Sequence, residues 1–228
     1  MLFIGLDDTD NLESRGTGRL ARAIGCSLAA DYPVLGVVRH QLLVDPRVPC
    51  TRHNSSKTVI LDVNGGIEPE AVLERVRRFM LADFQAGSDP GLCVACAPPP
   101  IVIEFGFRAK REFLVQSEAR ELAADLGIPL VGLGGSEDGV IGALAAVGLA
   151  ASGEDGRYVM VGQARELRGL RPVAELIAAG IGGVQTAQGE AVSDGLVLCD
   201  KLRPARRGSR PVAVVEWTGE YWLPLKPD

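Results

Sequence analysis

The chain opens on Leu2-Phe3-Ile4-Gly5-Leu6, an unbroken apolar run closed by Asp7 and Asp8. A short apolar run bounded by polar residues reads as a buried strand. Over residues 17–30 the period changes to a helical one, with Leu20, Ala21, Ile24 and Leu28 on one face and Thr17 placed as the N-cap. Residues 34–44, rich in Val and Leu, and the alternating stretch 57–63 predict two more strands. Residues 68–84 predict a second amphipathic helix, with Val72, Val76, Phe79 and Met80 together.

Residues 87–100, which carry Pro90, Gly91 and three consecutive prolines, read as a loop. Residues 101–105 read as a strand, 117–126 as a helix capped by Ser117, and 130–133 as a short strand. Residues 139–149 predict a helix of small residues that must pack closely on something. The polar stretch 152–156 marks a boundary. After it come short β-type runs at 158–161, 183–186, 196–198, 212–217 and 221–223, with one short helix at 172–179. The expected fold is α/β (α+β): an α/β region over 1–151, then a small β-rich C-terminal domain over 157–228. There is no internal repeat.

Composition narrows the classes. Of 228 residues, 46% are hydrophobic and 23% charged, which excludes a mainly disordered chain. The net charge of −5 argues against a large nucleic-acid surface and leaves room only for a local basic patch. The 28 glycines imply many tight turns or many ligand loops. No apolar run reaches the roughly 18 residues of a membrane span, and the start lacks the basic segment of a signal peptide. Five cysteines without an export signal point to a reducing cytoplasm rather than a disulfide framework.

The strongest chemical motif is Asp7-Asp8-Thr9-Asp10, directly after the first strand. Three carboxylates in four residues repel one another, and a hard cation such as Mg²⁺, shared with a nucleotide's phosphates, would offset that. Asp7 and Asp10 are the expected metal ligands. The competing reading is an acidic, solvated turn. Ser14-Arg15-Gly16-Thr17-Gly18-Arg19 follows, at the start of the first helix. Gly16 and Gly18 let backbone N–H groups approach an anion, and Arg15 and Arg19 add charge. A plain capped helix with surface arginines is the alternative. In the polar stretch before the third strand, Arg52, Asn54 and Lys57 are candidates to clamp phosphates, with His53 as a candidate general base. Arg39 and His40 read as part of that functional cluster or as the solvent face of a strand.

Three weaker motifs remain. Gly134 and Gly135, before the small-residue helix, suggest a second anion nest, or simply close helix packing. The single pair Cys93 and Cys96 lacks a second cysteine pair for a zinc site and reads as two buried, inert thiols, with a redox pair or a metal shared with Cys50 or His53 as the alternative. The stretch 201–210 holds five basic residues and reads as a solvated hairpin loop, or as a contact for RNA or an acidic partner.

The motif order resembles the archaeal tRNA-isoleucine agmatinylcytidine synthetase (TiaS) family. That family opens on Gly-Ile-Asp-Asp-Thr-Asp, like the stretch ending at Asp10, followed by a loop with two adjacent threonines, where this chain has Thr17 and Gly18. Residues 45–54 are similar to its Asn-Pro-Asn-x-Pro-Trp-Lys-Thr-Arg-Gly-Asn, with Cys50 in place of Trp and the Lys missing. Ser88-Asp89-Pro90-Gly91 and residues 139–148 are similar to two further segments. The resemblance implies a kinase-like region beside a ferredoxin-like one, binding ATP and Mg²⁺ and activating a cytidine of tRNA for displacement by an amine. It places metal and phosphate chemistry on Asp7, Asp8 and Asp10, puts Thr17 at a phosphorylated position, and sets Arg52 and Asn54 on the family's Thr-Arg-Gly-Asn loop. The family's C-terminal zinc ribbon has no counterpart here.

The first functional expectation is a cytoplasmic ATP- and Mg²⁺-dependent phosphotransferase or ligase-like enzyme, with Asp7, Asp8, Asp10 and Thr17 catalytic. Its acceptor would be a small or nucleoside-like molecule. The second is a tRNA-modifying enzyme or subunit. The third is a non-catalytic nucleotide- or metabolite-binding module. A homodimer is compatible with all three.

Overall fold

The computed structural model describes residues 1–48, 50–51, 53–63 and 67–227. The first apolar run forms β1 (Leu2–Asp7), which lies mid-sheet. It pairs antiparallel with β3 (Ser55–Leu61) on one side and β4 (Gly91–Cys96) on the other. β2 (Val34–Gln41) extends the sheet beyond β3, and β5 (Leu130–Gly132) extends it beyond β4. The sheet around the site is therefore antiparallel, and Asp7 sits at the end of its central strand.

Both faces are covered, which is why β1 carries no polar alternation. Leu2, Ile4 and Leu6 pack with α1 (Thr17–Leu28) and α2 (Pro69–Ala82) through Leu20, Ile24, Val72 and Val76. Phe3 faces the opposite layer, formed by α3 (Pro100–Arg108), α4 (Gln116–Asp125) and α5 (Gly139–Ser152). The small residues of α5 let it lie almost on the sheet. A Cβ on Gly5 would stand 2.0 Å from the Ala143 carbonyl oxygen, and one on Gly91 2.1 Å from that of Gly139. Part of the glycine excess is thus close packing rather than turns.

Past residue 156 the chain adds β6 (Arg157–Met160), β7 (Leu170–Pro172), α6 (Val173–Ala178), β8 (Gly183–Thr186), β9 (Leu196–Leu198), β10 (Ala205–Arg207), β11 (Arg210–Trp217) and β12 (Trp222–Pro224). β6 pairs with β2 and with β10, so the hydrogen-bonded ladder runs on from the first region. Among the described residues this makes a 12-stranded sheet, with β8 joining β11 in parallel. The mixed α/β class expected from the sequence is observed.

Several local expectations are corrected. The loop expected over 87–100 contains β4, a buried strand. The strand expected over 101–105 is α3, because Pro99 and Pro100 pre-set φ for a helix start and the short apolar run fits either state. Gly16, not Thr17, is the N-cap of α1, and Val115, not Ser117, is that of α4. Only Cys93 of its pair is buried, with a thiol that burial pushes far up; Cys96 is exposed. The basic stretch 201–210 does form a hairpin, but Arg206 is fully buried in it. Its guanidinium donates to the Ala150 carbonyl at 2.9 Å and the Tyr158 hydroxyl at 2.7 Å. Among the described residues, no helix is long and apolar enough to cross a membrane.

Candidate functional site

At the end of β1 the strand alternation turns Asp7 toward α5, the face that Phe3 and Gly5 share. Gly142 makes room for it: a Cβ there would stand 1.7 Å from Asp7 Oδ2. The chain then turns sharply at Asp8, whose φ is 48°, a left-handed conformation that Asp tolerates better than most residues. Asp10 accepts hydroxyl hydrogen bonds on both oxygens, from Thr17 at 2.6 Å and Thr51 at 3.2 Å. Lys57 lies opposite Leu6 in the β1–β3 ladder. Its buried amine donates to the Ser55 carbonyl at 2.6 Å and hydroxyl at 3.1 Å.

These groups face one cavity of about 470 Å³. Its polar wall holds Asp7, Asp8, Asp10, Thr17, Lys57 and Asp138. Its apolar wall is Leu42, Leu43, Val48, Leu114 and Ile141. The electrostatics are under tension. Burial pushes the Asp7 carboxyl up to about 6, against the pull of Lys57. Burial, and then the charges of Asp7, Asp89, Asp10 and Asp138, push Asp8 up to about 7. Burial brings the Lys57 amine down to about 8, opposed by Asp7.

A divalent cation suits this donor set, since Asp7 and Asp8 present carboxylate charge that the single amine of Lys57 does not balance. Among the described residues no three acidic, His or Cys side chains group tightly enough to enclose a metal ion. Mg²⁺ accepts one or two carboxylates and completes its shell with phosphate and water, so the set fits that mode and not a protein cage.

The residues expected from the sequence divide. Gly16, Thr17, Gly18, Asn54 and Lys57 do join the three aspartates at the cavity. Among the described residues no side chain caps α1; the Arg19 N–H is spent on the Gly16 carbonyl at 2.9 Å, which leaves those of Thr17 and Gly18 to face an anion. Arg15 and Arg19 instead line a neighbouring cavity of about 620 Å³ that shares Asp10 and Gly16 with the first. Thr9, whose buried hydroxyl has no partner among the described residues, lines that second cavity. Asn54 spends its amide on the Leu43 carbonyl at 2.9 Å and closes its own loop. Gly134 and Gly135 do not line the cavity; they lie against Phe84 and Asp89. The Asp89 carboxylate accepts the Ser136 N–H, and a Cβ on Gly135 would stand 2.0 Å from Asp89 Oδ1. His40 is neither solvent-facing nor at the cavity; it is buried against Asp155 at 2.8 Å. His53 lines the cavity, while Arg52 lies outside the described residues. Asp138, Gly142 and Thr51 join the site without a role expected from the sequence. Thr51 and Gly142 stand inside segments already singled out, residues 45–54 and the small-residue helix over 139–149, and Asp138 directly precedes that helix.

No protein-family model matches the chain. An uncharacterized protein of Methanocaldococcus jannaschii, MJ0921, is 28% identical over 153 residues, covering 65% of this chain and 50% of its own length. Among solved structures, TiaS in complex with an isoleucine tRNA and ATP matches with a TM-score of 0.56 at 23% identity, over 64% of this chain and 36% of that one. Apo TiaS, a tRNA agmatidine synthetase, matches with a TM-score of 0.56 at 22% identity, over 64% and 35%. A tRNA fluorescent labeling enzyme matches with a TM-score of 0.55 at 23% identity, over 64% and 35%. This part of the chain has the TiaS fold. The resemblance carried by the motifs therefore holds for the fold. The chain spans half the length of the curated relative and about a third of the TiaS chains.

Proposed function

We propose that this chain is an ATP-using enzyme that modifies a nucleoside of an RNA. The observation that carries the reading is the convergence of Asp7, Asp8, Asp10, Thr17 and Lys57 on one cavity, at the end of the central strand of a TiaS-like fold. Solved structures of that fold include TiaS with an isoleucine tRNA and ATP, and with that tRNA, AMPCPP and agmatine.

Phosphoryl transfer asks mostly for positioning and for neutralisation of phosphate charge. Asp7 and Asp8 are the side chains a Mg²⁺ ion would take, and the ion would supply that neutralisation. Asp10, expected beside Asp7 as a ligand, holds the Thr17 hydroxyl and would take its proton as that oxygen bonds to the γ-phosphorus of ATP and ADP leaves. Lys57 and the first N–H groups of α1 hold phosphate oxygens. The apolar wall receives the base and sugar of the acceptor.

A second reading, a free small-molecule or nucleoside-like acceptor, is favoured by the extent of that apolar wall and by the net charge of −5. One experiment serves both. Millimolar ATP with Mg²⁺ is expected to raise the melting temperature, since a ligand at about 100 times its Kd contributes about 2.7 kcal/mol. Asp10→Asn is expected to fold normally and to lose phosphoryl transfer from labelled ATP. The absence of any ATP–Mg²⁺ shift in the wild-type chain rejects the ATP reading. Transfer to free nucleosides but not to bulk tRNA selects the second acceptor.

A further inference from the structure

The net charge of −5 conceals a local concentration of the opposite sign. Four arginines from three parts of the chain meet where α1 packs on β6. That packing is close: a Cβ on Gly25 of α1 would stand 2.9 Å from Met160 Cε of β6. Arg19 and Arg22 stand one turn apart on α1. The Arg22 guanidinium lies beside Gly18, where a Cβ would be 3.8 Å from Nη1, so it sits at the rim of the carboxylate cavity. Arg165 donates to the Val159 carbonyl of β6 at 3.1 Å. Arg203 adjoins Pro204, whose carbonyl accepts the Tyr158 N–H of the same strand at 2.7 Å.

Among the described residues these four arginines make no ion pair. Glu74 of α2 is engaged with Arg77 and Arg78, and Glu118 of α4 with Arg108. Arg165 and Arg203 bond only to main-chain carbonyls. The cations feel one another: after burial, Arg165, Arg19 and Arg203 lower the Arg22 guanidinium, and Arg165 and Arg157 lower that of Arg203. Arg19 shares its cavity wall with Asp10, Glu13 and Asp83, but among the described residues no acid pairs with any of the four, and like charges so gathered carry a repulsion that a bound polyanion removes. Guanidinium groups suit phosphate oxygens geometrically, since each offers a planar fork of donors.

We infer that Arg19, Arg22, Arg165 and Arg203 form a track that binds the phosphodiester backbone of an RNA strand and leads it to the cavity rim. A backbone is favoured over an acidic protein because the track begins at the mouth where a nucleoside acceptor would enter, and that nucleoside brings flanking phosphates with it. The inference rests on the RNA reading above and names the surface that reading needs.

The test uses the full chain and end-labelled bulk tRNA, followed by fluorescence anisotropy from about 25 to about 200 mM salt. Wild type is expected to bind at low salt, with log K falling linearly against log salt. An Arg165→Gln/Arg203→Gln double variant is expected to bind at least about tenfold more weakly and to lose about 1.5 from the slope, as two phosphate contacts would give. An Arg77→Gln/Arg78→Gln variant on α2 is expected to match wild type. The ATP–Mg²⁺ melting shift is read on the same samples and should be unchanged in both variants. The inference is overturned if wild type does not bind tRNA at low salt, if the double variant keeps affinity and slope, or if polyglutamate competes as well as RNA. A retained ATP–Mg²⁺ shift in that event shows that the track has failed and the ATP reading has not.

Discussion

Where α5 meets β1, backbone touches backbone, and single atoms decide whether the fold closes. Adding a methyl group at Gly5 would put carbon 2.0 Å from the Ala143 carbonyl oxygen, a contact neither partner can yield. Gly5→Ala is therefore expected to cost about 3 kcal/mol or to prevent folding, read by urea denaturation. Gly183 has open space around it and no positive φ, so Gly183→Ala should stay within about 0.5 kcal/mol of wild type. Asp8 gives the pH counterpart. Its carboxyl moves from 3.8 unfolded to about 7 folded, so the protonated form suits the fold. That contribution is complete below pH 3.8 and is lost as pH rises to about 7. Asp8→Asn stays neutral throughout and accepts the left-handed φ. It should match wild type near pH 4 and be more stable by about 2 kcal/mol at about pH 8, after allowing for solvent screening. Equal pH profiles for the two would show that Asp8 is not strained. The aspartate motif is legible in the sequence because an apolar run ends directly on it. The neighbour of Gly135 is not legible in the same way, because the Asp89 carboxylate that lies against it is far away in sequence and no local pattern announces such a partner.

At the level of elements, periodicity works where an element has one wet face and fails where it has none. α1 and α2 show their apolar stripes. β4 and α3 are short and buried, and the prolines between them suggest a loop although they start a helix. His40 shows the same limit. On β2 it reads as a surface residue, yet it is fully buried, because Asp155 arrives from the far end of α5. His40 Nε2 lies 3.2 Å from the Thr58 hydroxyl, which donates to the Ala146 carbonyl at 2.9 Å. Lys110 pairs with the other Asp155 oxygen. This network ties β2, β3, α5 and the segment after α3. Asp155→Ala leaves a buried His and a Lys without their anion and is expected to cost about 3 kcal/mol at about pH 7, seen as a lower urea midpoint. Its partners hold the Asp155 carboxyl below its ordinary 3.8. The stability it confers is thus present above that value and fades as pH falls through the lower folded one. The gap between variant and wild type should accordingly narrow below about pH 4. A gap independent of pH would assign the loss to packing alone.

For the molecule as a whole, the question is how residues 157–228 stand to the rest. The glycines and acids of 152–156 make a boundary easy to read from sequence, but composition says nothing about which strands pair across it. β6 lies beside β2, with Val37 opposite Met160 and Val38 opposite Tyr158, and β10 lies beyond it. Arg206 reaches back to the end of α5 and satisfies the Ala150 carbonyl. Both cores draw on β6, Tyr158 in one and Met160 at the margin of the other. A chain cut after residue 156 would bare the β2 edge, with the apolar Val37 and Val38 at it, and remove the Tyr158 ring. An unpaired apolar edge strand recruits other strands. The fragment 1–156 is therefore expected to elute as oligomers or aggregate in size exclusion and to melt without a sharp transition, while the full chain does neither. A monomeric fragment with a cooperative melt would mean that α1, α5 and the strands β1 to β5 are self-sufficient. The arginine track, half of which belongs to residues 157–228, would then be a surface added to a self-sufficient unit that holds the aspartate cavity. An oligomeric fragment means that the same β6 contacts that complete the sheet also hold Arg165 and Arg203 in line with α1. In that case folding and the assembly of the track are one event.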